Sequence, residues 1–196
     1  ARKIVNAGTY LNNRTAYKNL NKLISKYHPD VAHLHLFYGG LSASVLKILK
    51  ENNVPVVQSV HDYRLLCPAN AFLDSGNQIC EKCKNRSYYQ CSVKRCSEGD
   101  FFYSSILSLE AYTRKYFIDP LDYIDRFIFV SKFSQEKDIE FVYRYSEKSS
   151  HLSNFTDVRR EKTTAEKGNY FLFFGRLSEE KGLLTVIIAA KKVKLN

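Results

Sequence analysis

Apolar residues recur along this chain at two alternating periods. From Asn13, a residue suited to capping a helix, Tyr17, Leu20, Ile24 and Tyr27 follow at helical spacing as far as the turn His28-Pro29-Asp30. VAHLHL, residues 31–36, is then a short apolar run that reads as a strand. After Gly39 and Gly40, Leu41, Val45, Ile48 and Leu49 line a second helix that stops at Asn52-Asn53. PVVQSV, residues 55–60, is a second strand with its proline at the start, where a missing N–H costs least. Strands alternating with helices at this spacing call for parallel βαβ units, and a parallel sheet calls for helices on both faces. The fold class predicted is α/β.

The periodicity lapses between residues 61 and 99, a stretch that contains all five cysteines and is too long for an ordinary strand-to-helix connection. It is read as an insertion with its own staple. Helical spacing returns over 101–117, where Ile106, Leu109 and Tyr112 share a face, and RFIFV at 126–130 is again a buried strand. Ser131 leads into a helix over QEKDIEFVYRY, and HLSNF at 151–155 reads as one more short strand. A first domain over 1–155 is therefore expected, followed by a charged linker at 156–168 that is poor in apolar residues. A second domain opens at NYFLFF, a strand over 169–174 that ends at Gly175, and continues into LLTVIIAAKKVKL, a helix apolar on nearly every side. A single strand cannot cover such a helix. Apolar area left in water costs about 25 cal/mol per Å², so this segment is expected to drive homo-oligomerisation.

Composition narrows the class of partner. The chain has 196 residues, 44% of them hydrophobic, which is ordinary for a soluble globular protein and argues against disorder. Its 30 Lys and Arg against 20 Asp and Glu leave a net charge of +10, which favours anionic partners: nucleic acid, phosphorylated small molecules or an anionic membrane surface. No apolar run approaches the roughly 18 residues of a membrane span, and ARKIVNAGTY lacks the apolar core of a signal peptide. The opening residue is not Met, and Met is absent throughout, so the first residue is not expected to be a native start. A cytoplasmic setting is expected, in which cysteines serve as thiols or metal ligands more often than as disulfides.

Three groups of residues are candidates for chemistry. Gly175 and Arg176, then Lys181 and Gly182, put backbone N–H groups and two cations after a strand and before a helix, where α/β folds bind phosphates. The plainer alternative is a solvated loop with a helix-capping turn. The spacing C-x(2)-C-x(7)-C-x(4)-C over Cys80, Cys83, Cys91 and Cys96 suits a structural zinc ion held by four thiolates; Cys67 lies further upstream. Two disulfides, or free thiols in a small core, are the alternatives. Among these cysteines Lys82, Lys84, Arg86, Lys94 and Arg95 alternate with Tyr88 and Tyr89. That mixture fits nucleic acid, an anionic lipid surface or a merely solvated face. His33 and His35 share a strand face, and with no third ligand in view they are assigned to packing and hydrogen bonding.

Several of these segments, in order, resemble one family. NYFLFFGRLSEEKGLLTVIIAAKKV is similar to the start of the second Rossmann domain of retaining GT-B glycosyltransferases of the family-4 type, in which a G-R-x(4)-K-G pattern follows the first strand. PDVAHLHLFYGG, VPVVQSVHDYRLLCP, FIFVSKFSQEK and SNFTD resemble the family's PD-x-x-H-x-H strand, its V-x-T-x-H-D-Y segment, its strand ending in V-S and its crossover into the second domain. The resemblance spans about 160 residues of this sequence. It implies an incomplete Rossmann-like acceptor domain plus the first strand-helix unit of a donor domain. It implies transfer of a sugar from a nucleoside-diphosphate sugar to the hydroxyl of a saccharide or lipid-linked acceptor, in surface polysaccharide synthesis and with peripheral membrane contact. Arg176 and Lys181 would hold the donor diphosphate with Gly175 and Gly182, His61 would sit near the reacting sugar, and no metal or other cofactor would be needed for the chemistry. Asp62 would either orient His61 or cap the following turn, and His61 could equally tie its strand end to a neighbour. The family's Gly-rich first turn and its E-x(7)-E segment are not found here, so the chain alone is expected to be inactive. A zinc-stabilised basic module binding nucleic acid or another anionic polymer is the alternative.

Overall fold

The computed structural model describes residues 7–156, 170–177 and 181–192, and the chain divides into two compact units, Ala1–Phe155 and Thr156–Asn196. In the first unit, α1 (Ala7–Leu11) and α2 (Arg14–Tyr27) precede β1 (Ala32–His35), α3 (Ser44–Glu51) and β2 (Val56–Val60). After them come α4 (Tyr89–Val93), α5 (Phe101–Phe117), α6 (Pro120–Tyr123), β3 (Arg126–Phe129), α7 (Lys132–Phe141) and β4 (Ser149–His151). The start signals read from the sequence operate as local chemistry. The Asn13 side chain accepts the Ala16 N–H at 2.9 Å and Ser131 accepts that of Ser134 at 3.4 Å; Asp100, which the sequence reading did not single out, does the same for the Tyr103 N–H at 2.9 Å.

All four strands are parallel and stand side by side in chain order, β1-β2-β3-β4. This order has a consequence that the alternation of elements did not reveal. Crossovers between parallel strands are right-handed almost without exception, so successive steps in one direction carry every connecting helix to the same face. The burial pattern agrees. Val56, Gln58, Val60, Phe127 and Phe129 point into the core together with Leu46, Leu49 and Ile124, while His33, His35 and Arg126 on the opposite face are exposed and Val57 and Ile128 are half-buried. The expectation of helices on both faces is therefore corrected: among the described residues the sheet is covered on one side.

Other differences are local and have local causes. Leu41 is not in α3 but in the turn before it, about half exposed, because Phe37 takes the core position at that strand end. On α5 the buried line is Ser104, Leu107, Ser108, Ala111 and Arg114, whereas Leu109 is exposed. Small residues are selected there because α4 lies close: Ser108 Oγ donates to the Tyr88 carbonyl at 2.9 Å and accepts from Ser92 Oγ at 2.9 Å. The helix expected from residue 135 begins at Lys132 and ends at Phe141, after which Tyr143–Glu147 tightens into a 3₁₀ turn. The last strand lies two residues earlier than expected, over Ser149–His151, where it pairs with Phe127, Ile128 and Phe129.

In the second unit, α8 (Leu183–Lys192) begins where the apolar run predicted a helix. Residues 170–174 are not in a strand, since no partner strand is present among the described residues, and Phe171, Leu172 and Phe174 are exposed. The linker assigned to 156–168 lies outside the described residues except for Thr156. No helix among the described residues is long and apolar enough to cross a membrane.

Candidate functional site

The carboxyl ends of β1 and β2 bring together three histidines that are far apart in sequence. His35 ends β1 and His61 follows β2; their rings stack with centroids 5.1 Å apart, and His35 Nδ1 and His61 Nε2 share a hydrogen bond of 2.8 Å. His33 lies one step back on the same face, its ring 4.4 Å from that of His35, with Nε2 bonded to Ser59 Oγ at 2.9 Å. The parallel register produces this arrangement, since it sets His33 opposite Val57 and His35 opposite Ser59. All three imidazoles are exposed. Their ring nitrogens can donate to or accept from a sugar hydroxyl or a phosphate oxygen brought to the sheet edge. Hydrogen bonding was the role assigned to His33 and His35, and His61 is the partner that the sequence did not disclose.

Asp62 caps the turn instead of orienting His61: its Oδ1 accepts the Arg64 N–H at 3.0 Å. Behind this turn lies a buried polar network absent from the sequence analysis. Arg64 Nη1 donates to the Tyr10 hydroxyl at 2.5 Å, and the Arg64 carbonyl accepts from Arg114 Nη2 at 3.1 Å. The Arg114 guanidinium lies 5.0 Å above the Tyr38 ring and donates from Nε to Glu110 at 2.7 Å. Gln58 Nε2 donates to the Tyr38 hydroxyl at 3.2 Å. Burial pushes the Tyr38 hydroxyl well above the usual phenol range, so it stays neutral. Burial alone would pull Arg114 down, but the Glu110 carboxylate outweighs it and the guanidinium stays charged. Glu110 and Arg114 are four apart on one helix, the only signal by which this network could have been found. The network also explains a glycine. Gly39 has φ +80°, and a Cβ there would stand 2.9 Å from Tyr10 Cε2, so only glycine lets the Tyr10 ring close over the loop after β1.

One buried carboxyl in this region has no partner. Both Asp138 oxygens, on α7, are fully buried without a hydrogen bond, and burial, with the Asp62 charge second, raises its pKa well above the ordinary carboxylate value. The folded protein therefore holds a proton that the unfolded chain releases, and stability falls as pH rises from the unfolded value of about 4 towards the raised folded value. Asp138→Asn is expected to raise the unfolding temperature at neutral pH and to leave it unchanged near pH 3. Thermal unfolding at the two pH values checks this, and an equal shift at both would overturn it.

The cysteine-rich insertion is folded around its thiols and one neighbouring helix. Cys83 and Cys91 are buried with Tyr88, Leu107 and Ala111, Cys67 is buried in the main core, and Cys80 and Cys96 are partly exposed; all five are free thiols. Burial, then the neighbouring Cys67, Cys96 and Cys80, pushes the Cys83 thiol up to about 12. A hydrogen bond with Cys91, then burial, pushes Cys96 higher still. Among the described residues no three His, Cys, Asp or Glu side chains already surround a metal-sized position. The basic residues of the insertion are partly engaged within the molecule: Lys84 pairs with Glu140 at 2.6 Å and Arg86 with Asp119 at 2.6 Å. Tyr88 is a core residue whose hydroxyl donates to the Leu65 carbonyl at 3.2 Å, which leaves Tyr89 as the exposed ring of the two.

In the second unit, Gly175, Arg176 and Lys181 are exposed, and residues 178–180 lie outside the described part. Gly182 has φ +65°, and its carbonyl accepts the Val186 N–H at 3.0 Å, the first bond of α8. Lys181 and Gly182 thus stand at the amino end of a helix, whose first N–H groups have no intrahelical acceptor. Comparison with protein-family models, curated proteins and solved structures finds no match for this chain.

Proposed function

We propose that this chain belongs to a nucleotide-sugar-dependent, retaining glycosyltransferase of the GT-B type that builds a surface polysaccharide. The observation that carries this reading is the parallel sheet with His61 at the carboxyl end of β2, paired with His35 at the end of β1, since ligands of open α/β sheets bind outside that edge. The G-R-x(4)-K-G pattern at Gly175–Gly182 adds the second part. There Arg176, Lys181 and the amino end of α8 offer positive charge and N–H donors to a diphosphate. In the reaction the bond between the sugar's anomeric carbon and the diphosphate breaks, and the oxygen of an acceptor hydroxyl takes its place on the same face of the sugar, its proton passing to the departing diphosphate. Negative charge grows on the departing diphosphate as that bond lengthens. Within the second unit Arg176 and Lys181 supply the positive charge that lowers this barrier, and within the first unit His61 and His35 offer ring nitrogens to sugar hydroxyls.

Titration calorimetry of a nucleoside diphosphate into the purified chain tests the donor assignment. Charge-assisted hydrogen bonds contribute about 1.5–3 kcal/mol each, so Arg176→Ala and Lys181→Ala are each expected to weaken binding by about tenfold or more. Equal affinity in the wild type and both variants would overturn the assignment. The same titration with single-stranded nucleic acid separates the alternative function, whose signature is affinity that falls steeply with salt. The exposed Lys82 and Arg95 and the half-buried Lys94 favour it; the burial of Tyr88 and the ion pairs of Lys84 and Arg86 weigh against it.

A further inference from the structure

The outer side of α5 has no part in the sugar-transfer reading. Opposite the buried line of this helix runs a stripe centred on Leu109, and at about 3.6 residues per turn the positions three, four, seven and eight away from Leu109 share its face. Those positions are filled in mirror order. Eight residues to either side of Leu109 stand Phe101 and Phe117, and seven to either side stand Phe102 and Tyr116. Four to either side are the small hydroxyl residues Ser105 and Thr113, and three to either side are Ile106 and Tyr112. No position of the stripe carries a charged side chain. Leu109 and its four outermost aromatic residues are between 54% and 75% exposed. A bare aromatic side chain offers roughly 150–250 Å², so those four rings leave roughly 500 Å² in water. On α4, whose Tyr89 N–H donates to the Tyr112 hydroxyl at 3.2 Å, Tyr89 and Val93 are also exposed. With them the patch reaches about 800 Å², one side of a standard protein interface.

We infer that α5 is the centre of a homodimer interface, in which two copies of this chain pair their α5 helices antiparallel across a two-fold axis at Leu109. Such an axis needs a surface that is complementary to itself, and the mirror order of the stripe supplies it. Residues equally far before and after Leu109 come level with one another, Phe102 with Tyr116 of the second copy and Phe101 with Phe117 of the second copy. Ser105, Tyr112 and Tyr116 lie on one flank of the stripe, and Phe102, Ile106 and Thr113 lie on the other. The Tyr112 ring of one copy therefore falls next to Ser105 of the other, and Ile106 falls next to Thr113. On each flank a large residue meets a small one. The two hydroxyls are already satisfied: Ser105 Oγ donates to the Phe101 carbonyl at 2.8 Å and Thr113 Oγ1 donates to the Leu109 carbonyl at 2.9 Å, so burial leaves neither unpaired. Aromatic content without charge is the composition of a protein interface core. A helix lying on a membrane instead carries rows of Lys and Arg beside its apolar face. Here Arg114 is buried, and Lys115 lies over the Tyr112 and Tyr116 rings, 5.8 and 5.1 Å from their centroids.

Sedimentation velocity of the 196-residue chain over a concentration series tests the interface. The apolar α8 is a separate source of association, so the reference is Ile188→Lys, which places a charge on that helix. This variant is expected to sediment as a dimer, and adding Leu109→Lys is expected to weaken the dimer by about tenfold or more. A second measurement fixes the register. Leu109→Cys is expected to form a disulfide-linked dimer under mild oxidation, above the background that the native thiols give in the wild-type chain, because the two introduced cysteines meet on the axis. Phe102→Cys alone is not expected to link, since its two copies stand about 21 Å apart along the helices, and mixing it with Tyr116→Cys is expected to restore the link. A monomeric Ile188→Lys chain would overturn the inference, as would linking by Phe102→Cys alone. A monomer that binds vesicles containing phosphatidylserine, and loses that binding with Leu109→Lys, would assign the stripe to a lipid surface instead.

Discussion

Replacing Glu110 with alanine is expected to destabilise the first unit by about 3–5 kcal/mol, because the change leaves a buried arginine without its counter-charge. The Arg114 and Glu110 side chains are 3% and 5% exposed, so water cannot take over from the lost carboxylate. What remains for the guanidinium is the Arg64 carbonyl and the face of the Tyr38 ring, one neutral acceptor and one weak partner. Urea unfolding checks the magnitude, and a loss below about 1 kcal/mol would show that the pair is not the buried anchor described above. The double change Glu110→Leu with Arg114→Met removes both charges and is expected to recover most of the loss, since it is the orphaned charge that is costly. The pair also matters for the site. Arg114 holds the Arg64 carbonyl, and Arg64 belongs to the turn that carries His61 and Asp62. Glu110→Ala is therefore expected to loosen that turn, which faster amide hydrogen exchange over residues 61–66 would report.

Phe127→Ala is the second large expectation, at about 3–5 kcal/mol. Phe127 is fully buried in the strand between β2 and β4, and its ring meets Tyr145 edge-on at 5.0 Å. Truncation opens a cavity in a part of the core held on two sides by hydrogen-bonded strands, which cannot collapse to fill it. Phe127→Leu keeps most of the volume and is expected to cost about 1.5 kcal/mol or less. Comparison of the two variants by thermal and urea unfolding separates loss of volume from loss of shape. Similar costs for both would mean that the ring's edge contact with Tyr145, and not the space it fills, is what the core depends on.

The elements of this protein were legible because their signals are short-ranged. A cap such as Asn13 acts three residues away, and the spacing of Leu20 and Ile24 is set by one helical turn. Strand periodicity identified β1, β2 and β3 almost to the residue for the same reason. The candidate site was legible only in part. His61 and Asp62 stood out because they follow a strand, but the role of Asp62 depended on the local turn, and the partner of His61 lies 26 residues away on another strand. Leu109 was grouped with Ile106 and Tyr112 on one helix face because all three are apolar and correctly spaced, yet the buried face of α5 is chosen by how closely α4 approaches it. Small serines and an alanine meet that demand, and a larger apolar residue does not.

Taken alone, the residues determined that this is an α/β chain with parallel strands, where its longer helices lie to within a few residues, and that its five cysteines share one insertion with a group of basic residues. These properties come from interactions within a few residues, which any local stretch carries with it. The tertiary structure decided what local stretches cannot: that the strands stand in chain order with one face of the sheet uncovered among the described residues, that His33, His35 and His61 meet at a strand edge, and that Arg114 reaches the carbonyl of Arg64 across 50 residues. Each of these depends on which segments pair and on which side a crossover passes, and that choice is made by the free energy of the whole core.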